Sequence, residues 1–171
     1  SLLSQLTESE LLDFVESSGY GTDAAPSVGK PAMTEIDGPS GFNINVNSPL
    51  GDKTSEWTGF CNEVVLGQTW NTDLAFHFAS ALGNEGMNTG VSAIYAPGVN
   101  LHRSPFNGRN FEYYSEDPVL SGKMAADVIY GAKVRGMRMY LKHFVVSEMG
   151  PNPRRLNVWL TEQNLRENYL R

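Results

Sequence analysis

The chain has 171 residues, enough for one ordinary domain with a real core and too few for a complete eightfold β/α barrel of about 250 residues. Hydrophobic residues make up 40% and charged residues 19%, a globular composition, and the formal net charge of -6 disfavours a general binder of nucleic acid or of an anionic membrane while suiting a neutral ligand such as a sugar. The single cysteine, Cys61, excludes an intramolecular disulfide and a cysteine-rich zinc site, and no apolar run is long enough to span a bilayer.

Thr7 and Glu10 have capping-box spacing ahead of Leu11, Leu12, Phe14 and Val15, and Gly19 follows, so a short helix is expected over 7–17. Residues 19–31, rich in Gly, Ala and Pro, read as loop. Ala32–Ile36 reads as a strand running into Asp37-Gly38-Pro39. The polar stretch 43–55 reads as loop, and Trp57–Cys61 as a second strand. Asn71 caps a helix to about Asn88, with Leu74, Phe78, Ala81 and Leu82 at helical spacing. Val91–Ala96 forms a strand, and a long loop spans 97–117. Ser115 and Asp117 before Pro118 start a helix reaching about Arg135, which Gly136 ends. Met137–Phe144 makes a further strand, and Thr161 caps a last helix holding Leu165 and Leu170. The alternation predicts an α/β fold of parallel strands with crossover helices: about four β/α units, the first half of a TIM-like (β/α)8 barrel. Ser1 in place of Met, and a close on Leu170-Arg171, lead us to expect that residues 1–171 are the N-terminal portion of a barrel domain in a longer protein. Neither these ends nor one cysteine separates a cytoplasmic from a secreted location.

Three polar sets follow predicted strands: Asp37 in Asp37-Gly38-Pro39, Arg109 in the loop Gly108–Pro118, and Lys142-His143 before Phe144. Parallel β/α folds bind ligands at the C-terminal ends of their strands, so the sets are expected to converge. The chemistry suits a neutral polyol. Asp37 can accept from two adjacent hydroxyls, while Arg109, Lys142 and His143 donate to others. Each residue also has a plainer reading. Asp before Gly-Pro is a turn former, Arg in a long loop is commonly an ion-pair partner, and a Lys-His pair at a strand end is often mere surface. Glu116 and Asp117 fit a helix start, and Glu112 fits a carboxylate that holds a basic partner. Gly29-Lys30 lacks the spacing of a phosphate loop. Cys61 is expected to be buried, His77 structural, and His102 has no metal-ligand partners at suitable spacing. Trp70 and Trp159 are expected in the core, with Trp57 open between core and sugar stacking.

The run Tyr95–Pro118, containing Gly108-Arg109-Asn110-Phe111-Glu112-Tyr113-Tyr114-Ser115-Glu116-Asp117-Pro118, closely resembles the signature of glycoside hydrolase family 3. Asp37-Gly38-Pro39, Thr69-Trp70-Asn71, Lys142-His143-Phe144 and Leu160–Leu170 stand in the order that family shows, so the resemblance covers nearly the whole chain. It implies a retaining exo-glycosidase, a β-glucosidase of terminal β-D-glucosyl residues, acting on a β-linked oligosaccharide or glucoside without cofactor or metal. It implies that Asp37, Arg109, Lys142 and His143 hold the first sugar. The nucleophilic Asp and the acid/base Glu are expected beyond Arg171, so no catalytic residue is assigned here. Two departures stand out. Asn43 lies where many members carry an Arg, and Arg154 is the residue offered for the remaining basic sugar contact. The absence of Pro-Gly-His-Gly after Lys-His-Phe favours the glucosidase or xylosidase side over the N-acetylglucosaminidase branch. A non-catalytic sugar-binding remnant is the rival reading. The remainder of the parent chain is an expected partner, and uncovered sheet edges leave oligomerisation open.

Overall fold

The computed structural model describes residues 1–16, 19–43, 57–148 and 156–171. Its centre is an open four-stranded sheet in the order β1 (Gly21–Thr22), β2 (Met33–Asp37), β3 (Ala93–Tyr95), β4 (Arg138–Met139). β2, β3 and β4 run parallel, with Ile36 opposite Ile94 and Ile94 opposite Met139. β1 pairs antiparallel with β2, Gly21 opposite Thr34. The architecture is mixed α/β, a partial TIM-like barrel. Among the described residues three strands run parallel where four were expected, because residues 57–62 form none, and β1 is an added antiparallel edge piece from the segment 19–31 that reads as loop.

α1 spans Glu8–Glu16, α2 Glu63–Gln68, α3 Thr72–Thr89, α4 Pro118–Lys133 and α5 Glu162–Asn164, which continues as a π-helical turn over Leu165–Tyr169. Helices α2, α3 and α4 pack into the core against the sheet. The starts are as local chemistry dictates. Thr7 N–H donates to Glu10 Oε2 at 2.7 Å and Glu10 N–H to Thr7 Oγ1 at 3.2 Å, a reciprocal capping box. Asn71 Oδ1 accepts from Leu74 N–H at 3.0 Å, and Asp117 Oδ1 from Val119 N–H at 2.8 Å, with Pro118 in the first turn. Gly90 and Gly136 stop α3 and α4 at positive φ, 80° and 84°, where a Cβ is disfavoured.

The core lies between the helices and the sheet. Ile36 and Ile94 point to it from the strands, with Leu66, Ala75, Ala79, Leu82, Met124, Val128, Ala132 and Met137 around them. In α3 the buried positions are Ala75, Ala79, Ser80, Leu82, Gly83 and Gly86, and Phe78 packs against the core, whereas Leu74 and Ala81 are exposed. The helix is thus rolled about a residue from the expected stripe, because small side chains let α3 and α4 approach closely. A Cβ on Gly131 of α4 would stand 2.2 Å from the Phe76 carbonyl oxygen.

Side chains alternate along β2, so Glu35 and Asp37 face away from the helices. Glu35 accepts from Tyr95 Oη at 2.6 Å and Tyr140 Oη at 2.8 Å, and those two rings stack with centroids 5.2 Å apart. This polar, aromatic face lies directly beneath Asp37.

Several expectations are corrected. Residues 57–62 form no strand; the segment runs irregularly past Ser40, whose carbonyl accepts from Phe60 N–H at 3.1 Å. Trp57 packs on Phe42 edge-to-face at 5.3 Å and so belongs to the core. Trp70 and Trp159 do not, at 71% and 91% exposure, and Cys61 is exposed rather than buried. The strand expected over 137–144 has only Arg138–Met139 in the ladder, followed by a single bridge from Gly98 to Lys142. Most of the loop 43–55 and Arg154 lie outside the described residues.

Candidate functional site

Asp37 ends β2, and its Oδ1 is held by its neighbour's backbone, Gly38 N–H at 3.0 Å. Lys142 arrives two strands away. Its backbone N–H donates to Pro97 O at 2.9 Å, and Val99 N–H donates to its carbonyl at 2.8 Å, which extends the parallel pairing past β3 and β4. Lys142 Nζ then reaches Asp37 Oδ1 at 3.2 Å, Gly38 O at 3.0 Å and Glu112 Oε2 at 3.0 Å. The other oxygen of Glu112 takes the Nε–H of Arg109, and Arg109 N–H is fixed by Asn107 Oδ1 at 3.1 Å. Asp37, Lys142, Glu112 and Arg109 thus form one continuous chain of ion pairs assembled from three distant stretches of sequence.

Exposure divides the labour. The side chains of Asp37 and Arg109 are 36% and 37% exposed, Lys142 is 13% exposed and Glu112 is 3% exposed. Asp37 and Arg109 have free surface for a ligand, while Glu112 is the buried strut between two cations. Together with Gly38, Pro39, Ser40, Asn43 and Phe111 they line a cavity of about 340 Å³. That is at the small end of ligand-site sizes and is polar in its chemistry.

His143 sits beside this cavity. It lines a second, largely apolar one of about 400 Å³, with Val99, Leu141 and Phe144. Its backbone is clamped by Asn100, whose Oδ1 accepts from His143 N–H at 2.7 Å and whose Nδ2 donates to His143 O at 3.1 Å. Its Nδ1 is 3.1 Å from the hydroxyl of Tyr113. Of the five sequence-picked residues, Asp37, Arg109 and Lys142 therefore share one cavity, His143 stands at its margin, still within the field of Arg109, Glu112, Lys142 and Asp37, and Arg154 lies outside the described residues.

The electrostatics follow from this packing. Burial pushes the Glu112 carboxyl up, but the Arg109 hydrogen bond and the Lys142 ammonium outweigh it and hold the group below the ordinary carboxylate value. Burial pulls Arg109 down, and its bond to Glu112 more than restores it, leaving the guanidinium firmly charged. Burial first, then the Arg109 charge, lowers the His143 imidazole, so the ring is neutral near pH 7. Burial, with Glu112 nearby, pushes the Tyr113 phenol up to about 12.

A further carboxylate supports the site from below. Glu63, at the start of α2, is 1% exposed; its Oε2 accepts from Gly98 N–H at 2.8 Å and its Oε1 from Tyr114 Oη at 2.9 Å. Burial raises it well above the ordinary value. Gly98 is the residue that bridges to Lys142, and a Cβ there would stand 2.2 Å from the Glu112 carbonyl oxygen. Sequence reasoning missed Glu63, Asn100, Tyr113 and Phe111 as parts of the site. Only the dense polar-aromatic run 107–117 hinted at the last two. Among the described residues no cluster of three or more His, Cys, Asp or Glu side chains is arranged to hold a metal ion, and no helix is long and apolar enough to cross a membrane.

Residues 30–170 match the model of the glycosyl hydrolase family 3 N-terminal domain. The chain is 37% identical over 153 residues to β-glucosidase A of Butyrivibrio fibrisolvens, covering 90% of this chain and 18% of that protein. It is 33% identical over 147 residues to an exo-α-(1→6)-L-arabinopyranosidase of Bifidobacterium longum, covering 84% of this chain and 19% of that one. Among solved structures it superposes on β-glucosidase 3B from Thermotoga neapolitana in complex with α-D-glucose, with TM-score 0.86, 38% identity, and 99% of this chain against 26% of that chain. The chain thus spans about a fifth of the length of the curated relatives it matches.

Proposed function

This chain belongs to glycosyl hydrolase family 3, and on that footing we propose that it supplies the sugar-holding half of the active site of a retaining β-glucosidase. The single observation that carries the reading is the cluster centred on Lys142 Nζ, which joins Asp37 and Glu112 at 3.2 Å and 3.0 Å beside the exposed head of Arg109. Asp37 accepts hydrogen bonds from two ring hydroxyls and Arg109 donates to hydroxyl oxygens, while Lys142 donates by exchanging one of its three contacts, to Asp37, Gly38 O and Glu112, for a hydroxyl oxygen. Glu112 keeps both cations aimed into the cavity. A set of this kind discriminates strongly once a ligand covers it, since a missing hydroxyl leaves a desolvated polar group unpaired. The glucose-bound relative from T. neapolitana supports a gluco-configured sugar, and the arabinopyranosidase relative marks pyranose identity as the feature that varies between members.

A retaining mechanism needs a nucleophilic carboxylate and a second carboxyl that donates a proton, roughly 5 Å apart across the bond. Asp37 and Glu112 are near each other, but Glu112 is held deprotonated by two cations and is a poor proton donor. Among the described residues Glu63 and Glu148 are the carboxyls that burial raises, and both are buried against backbone N–H groups, at 1% and 6% exposure. In line with what the family resemblance implies, we place both catalytic carboxyl groups outside residues 1–171.

The reading is tested in two assays. The longer protein is expected to hydrolyse an aryl β-D-glucoside, and purified residues 1–171 are expected not to. Calorimetry with glucose on the chain is expected to show weak binding that Asp37→Asn reduces tenfold or more, in line with about 1.5–3 kcal/mol for a charge-assisted hydrogen bond. Turnover by residues 1–171, or unchanged glucose binding in Asp37→Asn, refutes the assignment.

A further inference from the structure

Tyr113 is the largest fully buried side chain among the described residues, and its hydroxyl meets two partners, His143 Nδ1 at 3.1 Å and the Ser147 carbonyl oxygen at 3.0 Å. A phenol carries one proton, and a carbonyl oxygen can only accept. The Tyr113 proton therefore goes to Ser147 O. The contact with His143 is then a hydrogen bond only if Nδ1 carries a proton and donates to the Tyr113 oxygen. We infer that Tyr113 is a positioning residue which fixes His143 as the Nδ1–H tautomer, so that Nε2 offers a lone pair to a ligand hydroxyl. His143 then accepts, where residue type alone makes it a donor.

The surroundings fit. Asn100 grips both backbone polar groups of His143, so the ring is presented from a fixed base. No described residue hydrogen-bonds to Nε2. The charged groups around the ring are Arg109, Lys142, Glu112 and Asp37; burial and the two cations keep the imidazole neutral, as the tautomer requires. Tyr113 cannot substitute as a base, because its phenol is pushed up to about 12. The consequence is a balanced site. Two acceptors, Asp37 and His143, stand against the donor Arg109 and against Lys142, which donates by giving up one of its three contacts, and this matches a polyol whose hydroxyls both give and take.

The ligand half of this inference rests on the sugar-site reading above, and the tautomer half does not. The test is a long-range ¹H–¹⁵N correlation spectrum of the chain near pH 7. With three histidines in the sequence, His143 is assigned by its loss in His143→Gln. In the wild type, Nδ1 is expected to show the shift of a protonated ring nitrogen and Nε2 that of an unprotonated one. Tyr113→Phe, which keeps the ring and removes the oxygen, is expected to move the pair toward the Nε2–H pattern. An Nε2–H pattern in the wild type overturns the inference, whether or not Tyr113→Phe folds, and so does an unchanged pattern in a folded Tyr113→Phe. In a glucose titration the His143 Nε2 resonance is expected to shift. If other site resonances respond while Nε2 stays still, the acceptor role is wrong. If nothing responds although the apo spectrum shows Nδ1–H, the sugar-site reading fails and the tautomer assignment stands.

Discussion

At Glu112 a carboxylate with 3% side-chain exposure faces a guanidinium on one oxygen and an ammonium on the other. Removing one member of a buried pair leaves the other charge desolvated, which is the expensive way to break it. Glu112→Gln keeps the volume and removes the charge. It is expected to destabilise the fold by on the order of 3 kcal/mol at pH 7, the low end for a buried pair because Arg109 is itself more than a third exposed. The folded value of Glu112 is held below the ordinary 4.5, so its contribution is present above that value and is lost as pH falls through the folded one. Urea titrations should therefore show the gap between wild type and Glu112→Gln closing in acid. The residue types of Asp37, Arg109, Lys142 and His143 were legible because each follows a strand or sits in a dense motif. That Glu112 also binds Lys142, and that His143 is steered by Tyr113, was not, because those contacts join residues 30 positions apart.

Between α3 and α4 the packing is set by glycine and alanine. Within α4 two glycines make a controlled comparison. A Cβ at Gly131 would collide with the Phe76 carbonyl at 2.2 Å, whereas at Gly122 it would meet nothing within 4 Å. Gly131→Ala is expected to destabilise by about 1–3 kcal/mol through overpacking. Gly122→Ala is expected to stabilise by about 0.5–1 kcal/mol through helix propensity and unfolded-state entropy. Thermal or urea melts of the two variants check both signs. Elements with strong end signals were readable in advance: the capping box of α1, the Asn71 cap of α3 and the Asp117-Pro118 start of α4. α2 was not, since six residues with no side-chain cap bond at Asn62 owe their helix to burial of Glu63 and Leu66. The orientation of α3 was misjudged because large residues attract attention, while close helix contact selects small ones.

Taken as a whole, the molecule is a barrel sector whose helix-facing side is apolar and whose other side is lined with Glu35, Asp37, Tyr95 and Tyr140. The parallel alternation and its barrel character were visible in the order of elements, but the antiparallel β1 was not, because two residues of a Gly-rich stretch carry no period. Global stability should carry the mark of Glu63. Its folded value is raised by burial, so its contribution is complete below the ordinary 4.5 and is lost as pH rises through the folded value. Urea midpoints measured at pH 5 and pH 8 are expected to fall more for wild type than for Glu63→Gln, which has no proton to lose. Gly98 ties this buried acid to the binding cluster. Its amide donates to Glu63, the Pro97 carbonyl and Val99 amide on either side of it pair with Lys142, and a Cβ on it would meet the Glu112 carbonyl oxygen. A census of tolerated substitutions would therefore rank position 98 with the ligand-touching residues, although it offers no side chain to any ligand, and intolerance in this chain is better read as shared architecture than as direct contact.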